Sequence, residues 1–161
     1  MIILGVDPGF GITGYGLIEV APPRVQNPRL VEAGILKSKK KESLSVRLKE
    51  IYGQIIQLFE EFSPGAVAVE DIFSVGAFPK SAILIGHMRG VVLLAAAQNA
   101  VPVFSYYPLQ VKKSLLGNGH ASKSQVQKMV QTTLHMDASP KPDDLSDALA
   151  VALCHASRLR G

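Results

Sequence analysis

Ile2-Ile3-Leu4-Gly5-Val6-Asp7-Pro8-Gly9 opens the chain after Met1. Its first five residues are apolar on both alternating faces, the pattern of a strand buried on two sides, and Pro8-Gly9 marks a turn directly after it. Asp7 therefore stands where a strand leaves the core. That is a costly place for a carboxylate unless positive charge meets it.

With 161 residues and 47% hydrophobic content, the expectation is a single domain over 1–161 with a substantial core. No run of about eighteen apolar residues is evident, and the N-terminus lacks a basic flank with a long apolar segment and cleavage site. A cytoplasmic protein with no membrane segment is expected. The lone Cys154 leaves no partner for an internal disulfide and argues against a thiolate metal site; on the last helix it reads as a small buried apolar side chain. Net charge is +4, with the positives gathered at Lys37, Lys39, Lys40 and Lys41, at Lys112 and Lys113, and at Lys123 and Lys128. Such clustering suits a polyanionic partner, although a run like Lys39 to Lys41 is also what a solvated loop looks like.

Along the chain, Thr13 to Val20 reads as a second strand with Tyr15, Leu17 and Val20 on one face. Leu30 to Leu36 reads as a third, beyond a Pro-rich loop. Short links between the three predict an antiparallel meander. From Ser45 the period becomes helical through Leu48, Ile51, Tyr52, Ile55, Leu58, Phe59 and Phe62, until Pro64-Gly65 ends it. Ala66 to Val69 is a second two-sided strand, and it too ends in an acid, Glu70. A loop over Ser74 to Pro79 precedes a helix from Lys80 to Gln98, with Ile83, Leu84, Val91, Leu94 and Ala95 on its apolar face. Val101 to Ser105 is a short fifth strand. Pro108 opens a helix that Gly117 stops, Ser122 and Gln125 form a capping box for a helix to Leu134, and Pro140 and Pro142 precede a final helix from Asp143 or Asp144 to Leu159.

This order predicts a mixed five-stranded α/β sheet flanked by helices, with strands one, four and five parallel. Ligands of such sheets gather outside the carboxyl ends of the parallel strands, where Asp7 and Glu70 both lie. Asp144 and Asp147, three apart in the first two turns of the last helix, share a face that closes on the same edge if the helix packs there. Converging carboxylates repel unless cations neutralise them, and hard oxygen ligands select Mg²⁺ or Mn²⁺ over zinc. Two such ions about 3.5 to 4 Å apart hold the attacking and leaving oxygens of a phosphodiester. Plainer readings exist: Asp7 as a turn residue, Glu70 and Asp71 as a solvated strand end, and Asp143 or Asp144 as a favourable charge at a helix N-terminus.

The same residues carry a resemblance to the RuvC family of Holliday-junction resolvases, bacterial crossover-junction endodeoxyribonucleases. It runs through Gly5-Val6-Asp7-Pro8-Gly9, Thr13-Gly14-Tyr15-Gly16, Arg47-Leu48-Lys49 with Ile51-Tyr52, Glu70 with Phe73, and Arg89-Gly90. It continues through Gln110-Val111-Lys112, Lys123-Ser124-Gln125-Val126-Gln127 and Asp147-Ala148-Leu149-Ala150. The resemblance implies a ribonuclease-H-like fold, a homodimer, a RuvA-RuvB branch-migration partner, and Mg²⁺-dependent symmetric nicking of a four-way DNA junction. It implies Asp7, Glu70, Asp144 and Asp147 as metal-binding catalytic acids. It places Lys112 and Lys123 near the scissile phosphate and Phe73 as a ring stacked on a base. Phe73 also reads as a core aromatic, and the two lysines as exposed charges.

One departure stands out: where the family has a single acid three residues before Asp147, this chain has the doublet Asp143-Asp144. Spacing selects Asp144, with Asp143 in reserve. Lys123 in the first turn of a helix opposes the backbone dipole, and such breaks of a local rule tend to mark function. Arg89, Lys113 and the Lys39 to Lys41 run are candidate DNA contacts, and His120 is the one histidine singled out for testing. Three rivals are weighed: a nuclease of the same fold acting on RNA/DNA hybrid, which substrate competition would separate; a non-catalytic junction-binding protein, against which the intact acid set argues; and an actin-like ATPase, whose second nucleotide-binding lobe 161 residues are too few to build.

Overall fold

The structure, a computed structural model, describes residues 1–21, 27–72 and 79–159. β1 (Ile2–Asp7), β2 (Ile12–Glu19) and β3 (Arg29–Lys37) form an antiparallel meander. α1 (Leu44–Phe62), β4 (Ala66–Glu70), α2 (Pro79–Gln98) and β5 (Val103–Tyr106) follow, then α3 (Pro108–Leu116), α4 (Lys123–Thr133) and α5 (Asp143–Arg158). The strands lie in the order β3-β2-β1-β4-β5, with β1, β4 and β5 parallel as predicted. Local chemistry sets the boundaries. α1 ends on Ser63 in the left-handed region, whose N–H donates to the Phe59 carbonyl, and Pro64 follows. Gly117, with φ 71°, closes α3. The Ser122 hydroxyl accepts from the Gln125 N–H at 3.3 Å while the Gln125 amide oxygen accepts from the Ser122 N–H at 2.8 Å.

Each sheet face has its own core. Leu4, Val6, Tyr15 and Leu17 point toward α1 and α2, and Ile3, Ile18 and Ala68 point toward α3, α4 and α5. Val20 belongs with this second group and not with Tyr15 and Leu17, because its spacing from them is odd and a strand alternates. The same alternation turns Asp7, two residues beyond Gly5, to the α5 side.

On that side three glycines let α5 lie directly on the sheet. A Cβ at Gly5 would collide with the Ala148 carbonyl, one at Gly14 with the Asp144 carbonyl, and one at Gly16 with the Leu149 side chain. The close approach buries Ala148 through Ala156 without interruption, including Cys154. At about 25 cal/mol per Å² of apolar surface, this makes α5 a principal stabilising element.

The far face holds one departure from expectation, in α2. Its buried side consists of Met88, Val92, Ala95 and Ala96, whereas Ile83 and Leu94 are 58% and 53% exposed. The helix is apolar almost all round, so periodicity does not select a face. By length and composition Lys80–Gln98 is also apolar enough to cross a membrane, although Lys80, His87 and Arg89 keep it from being an unbroken apolar run. Its inward side is nevertheless part of the core.

A buried arginine braces the turn after β1. Arg47, 6% exposed, donates from Nη2 to the Phe10 carbonyl at 2.7 Å and from Nε to Ser38 Oγ at 3.0 Å, and its guanidinium lies 4.0 Å over the Phe10 ring. Thr13 Oγ1 donates to the Gly9 carbonyl at 3.1 Å inside the same turn.

Candidate active site

β1 and β4 pair in parallel with Val6 beside Val69, so the next residues along, Asp7 and Glu70, stand together at the carboxyl ends of the strands. Across the other ladder Asp7 is paired with Gly14, and the Asp144 backbone rests on Gly14. The first turns of α5 are thereby brought over Asp7. Asp147, one turn further along, lines a cleft of about 200 Å³ with Glu70, Lys112, Lys123, Pro108 and Val126. A second hollow of about 190 Å³, lined by Asp7, Pro8, Glu70 and Asp71, shares Glu70 and Pro108 with the first.

Burial and mutual repulsion dominate the electrostatics. Asp7 is pushed up to about 7, first by burial and then by the charges of Asp147 and Asp144, with Lys123 pulling the other way. Glu70 is pushed up to about 8 by burial, then by Asp7 and Asp147, against Lys123 and Lys112. Asp147 is raised by burial, although its hydrogen bond with Lys123 opposes the rise. Burial lowers the Lys123 ammonium, but the hydrogen bonds and charges of Asp147 and Asp143 overcome that and raise it. The innermost acids thus lack sufficient positive charge for all of them to ionise at neutral pH.

The Asp143-Asp144 doublet divides in space. Asp144 is half-buried and its charge reaches Asp7, whereas Asp143 is exposed and turned toward α4. There its Oδ2 lies 3.4 Å from the Lys123 ammonium, and its Oδ1 accepts from Gln127 Nε2 at 2.8 Å. Lys123 reaches Asp147 Oδ2 as well, at 3.2 Å. Gln127 stands in one of the motifs read from the sequence but was given no role there. Its spacing from Lys123, one helical turn, was the available signal.

Asp7, Glu70, Asp144 and Asp147 supply only hard oxygen donors, and a divalent cation would relieve the repulsion and burial that raise the innermost acids. On both counts the donor set fits Mg²⁺ or Mn²⁺. Among the described residues no three His, Cys, Asp or Glu side chains are drawn together closely enough to form a ready-made ligand cage.

The other singled-out residues separate into those at the cleft and those away from it. Lys112 lines it beside Glu70. Lys113 does not; it lines a separate hollow with Gln110, Ser114 and Arg158. Arg89 is held within the fold, 3.3 Å from Asp71 Oδ1 and donating to Ser105 Oγ at 2.6 Å, so it braces the end of β4. Lys39 pairs with Glu50. The turn after β3 that carries Lys39 to Lys41 lies at the same sheet edge as the acids, because Lys37 pairs with Ile12. His120 is exposed in the turn before α4. Phe73 and the Ser74 to Phe78 stretch lie outside the described residues. His155, which lacks zinc spacing and reads from the sequence as structural or solvated, is a buried histidine whose Nδ1 lies 2.7 Å from the Tyr106 hydroxyl and whose ring stacks on Phe104. It fastens β5 to α5 and does not face the acids.

Residues 3–155 match the family model described as crossover junction endodeoxyribonuclease RuvC. Crossover junction endodeoxyribonuclease RuvC of Natranaerobius thermophilus is 46% identical over 160 residues, covering 99% of this chain and 97% of that protein. Its counterpart in Pelotomaculum thermopropionicum is 46% identical over 156 residues, covering 97% of this chain and 93% of that one. Among solved structures, Thermus thermophilus RuvC in complex with a Holliday junction substrate superposes with a TM-score of 0.91 at 37% identity, covering 99% of this chain and 95% of that one. The fold is accordingly ribonuclease-H-like.

Proposed function

The chain belongs to the RuvC family of crossover junction endodeoxyribonucleases, and from that premise we propose how its acid cleft works. It is a nuclease that resolves Holliday junctions in DNA recombination and repair. The observation that carries the mechanistic reading is the meeting of Asp7, Glu70, Asp144 and Asp147 at one sheet edge with Lys112 and Lys123 beside them.

In this reading the four acids hold two Mg²⁺ or Mn²⁺ ions, which when bound activate water and stabilise the leaving oxygen of a phosphodiester. Asp7 and Glu70, fixed on adjacent rigid strands, set the spacing of the ligands. Asp144 and Asp147 close the set from α5. Lys112 and Lys123 draw the scissile phosphate to the cleft and offset the negative charge that develops on its oxygens. Lys39 to Lys41, on the same edge, meet DNA backbone at a distance from the cut.

A four-way junction has approximate two-fold symmetry, so two copies of the chain related by a two-fold axis nick two strands symmetrically. The exposed apolar residues of α2, Ile83 and Leu94, support a homodimer through that helix. The family likeness extends the reading to a RuvA-RuvB partner, to a cytoplasmic location and to Phe73 as a base-stacking ring.

The test is incubation with labelled mobile four-way DNA junction, linear duplex and RNA/DNA hybrid, each with and without Mg²⁺. Paired nicks on the junction that require Mg²⁺ are expected. Cutting of hybrid alone, or cutting that persists in chelator, would overturn the reading.

A further inference from the structure

We propose that Asp143 is a positioning residue for Lys123: anchored by Gln127, it fixes the Lys123 ammonium at the mouth of the acid cleft. The inference rests on the nuclease reading above and gives a role to the acid of the doublet that the proposed ligand set leaves out.

The two oxygens of Asp143 are divided between two residues of α4. Oδ1 accepts from Gln127 Nε2 at 2.8 Å, and Oδ2 lies 3.4 Å from Lys123 Nζ. Lys123 and Gln127 are four apart on α4, so both reach across to the first residue of α5 from one helix face. Asp143 is thus a tie between the helix that carries the lysine and the helix that carries two of the acids.

Lys123 needs such a tie for two reasons. It is the first residue of α4, where the positive end of the helix dipole repels it, and its four-carbon stem leaves the ammonium free to wander. Its other partner, Asp147 at 3.2 Å, is one of the proposed metal ligands. Once the Asp147 carboxylate serves as a ligand a cation shares its charge and its hold on the ammonium weakens, and Asp143 is the carboxylate outside the proposed ligand set that still reaches it. Gln127 keeps Asp143 turned toward α4, away from Asp7, which suits a brace better than a fifth ligand. As the first residue of α5, Asp143 also sits where a negative charge is favourable, so the brace needs no further support.

The test compares full-length wild-type, Asp143→Asn, Lys123→Ala and the double variant in single-turnover cutting of a four-way junction across a Mg²⁺ series. Thermal melting checks that each is folded. Asp143→Asn is expected to slow cutting on the order of tenfold at saturating Mg²⁺. The Mg²⁺ concentration for half-maximal rate should stay the same, and the substitution should cost nothing further in the Lys123→Ala background. Gln127→Ala should reproduce part of the loss. An equal loss in both backgrounds, or a raised Mg²⁺ requirement, would overturn the proposal. Side-chain ammonium order in the metal-free protein, read by ¹⁵N relaxation in an Asp147→Asn background where Asp143 is the carboxylate that remains, tests the brace apart from any cutting. Lys123 should lose order in Asp143→Asn, and unchanged order would overturn the proposal. If the wild-type protein fails to cut junctions, the nuclease reading falls while this readout still decides the brace.

Discussion

Asp7 and Gly14 face each other across the β1–β2 ladder, and the absent side chain of Gly14 is what lets the Asp144 backbone settle next to Asp7. The distance between an acid on the sheet and an acid on the last helix is therefore governed by a residue that carries no functional group. Gly14→Ala should push the start of α5 outward. Overpacking costs about 1 to 3 kcal/mol, whereas displacing a ligand by about 1 Å costs on the order of 10²-fold in rate. Melting and single-turnover cutting on the same preparation should show a rate loss on the order of 10²-fold in protein that is still folded at the assay temperature.

Removing the charge of Asp7 separates cutting from binding. Asp7→Asn is expected to reduce junction cutting on the order of 10³-fold, while gel-shift affinity for the junction at low salt without divalent ions is kept or slightly improved. Parallel loss of cutting and binding would assign Asp7 to the fold and not to the chemistry.

The raised acids make stability depend on pH with a defined sign. Asp7 at about 7 and Glu70 at about 8 both lie above their unfolded values of 3.8 and 4.5. The folded state holds their protons more tightly, so their contribution is fully present below about pH 4 and is lost as pH rises through 7 to 8. In chelator, the melting temperature should fall between pH 5.5 and pH 8.5 beyond what the rest of the chain explains, and Asp7→Asn should shrink that fall. Added Mg²⁺ should restore stability, and more at pH 8.5 than at pH 5.5.

Junction affinity should fall as salt rises, with a slope that counts phosphate contacts. Lys112→Ala is expected to lower the slope of log K against log salt by about one unit. Lys113→Ala should leave the slope unchanged if Lys113 serves only its own hollow, which titrations at several salt concentrations would establish.

The apolar exterior of α2 predicts the assembly surface. Leu94→Glu places a charge on a residue that is already exposed in one copy, so the fold should survive by circular dichroism. In sedimentation velocity, a dimeric wild type and a monomeric variant are expected; an unchanged dimer would place the contact elsewhere.

The acid edge was legible because its signals are local. β1 and β4 are short apolar runs that each stop at an acid, and Asp144 and Asp147 announce a shared helix face by spacing. The Asp143–Lys123–Gln127 tie was not legible, since it depends on where α4 crosses α5, and no sequence period encodes a crossing. The inward side of α2 was hidden for the opposite reason: with apolar residues nearly all round, several stripes fit equally well until the sheet selected one. Arg89 illustrates a third limit. Its charge invited a phosphate, but Asp71 and Ser105 reach it first.

The uninterrupted burial of α5 bears on how the protein can move. A helix seated directly on sheet backbone is expected to expose the amides of its buried stretch, Ala148 through Ala156, to exchange only when the domain opens, whereas the two acids lie in the turns before that stretch and are freer to adjust. Hydrogen exchange should therefore divide α5 in two, with slow amides from Ala148 onward and faster ones in the turns that carry Asp144 and Asp147.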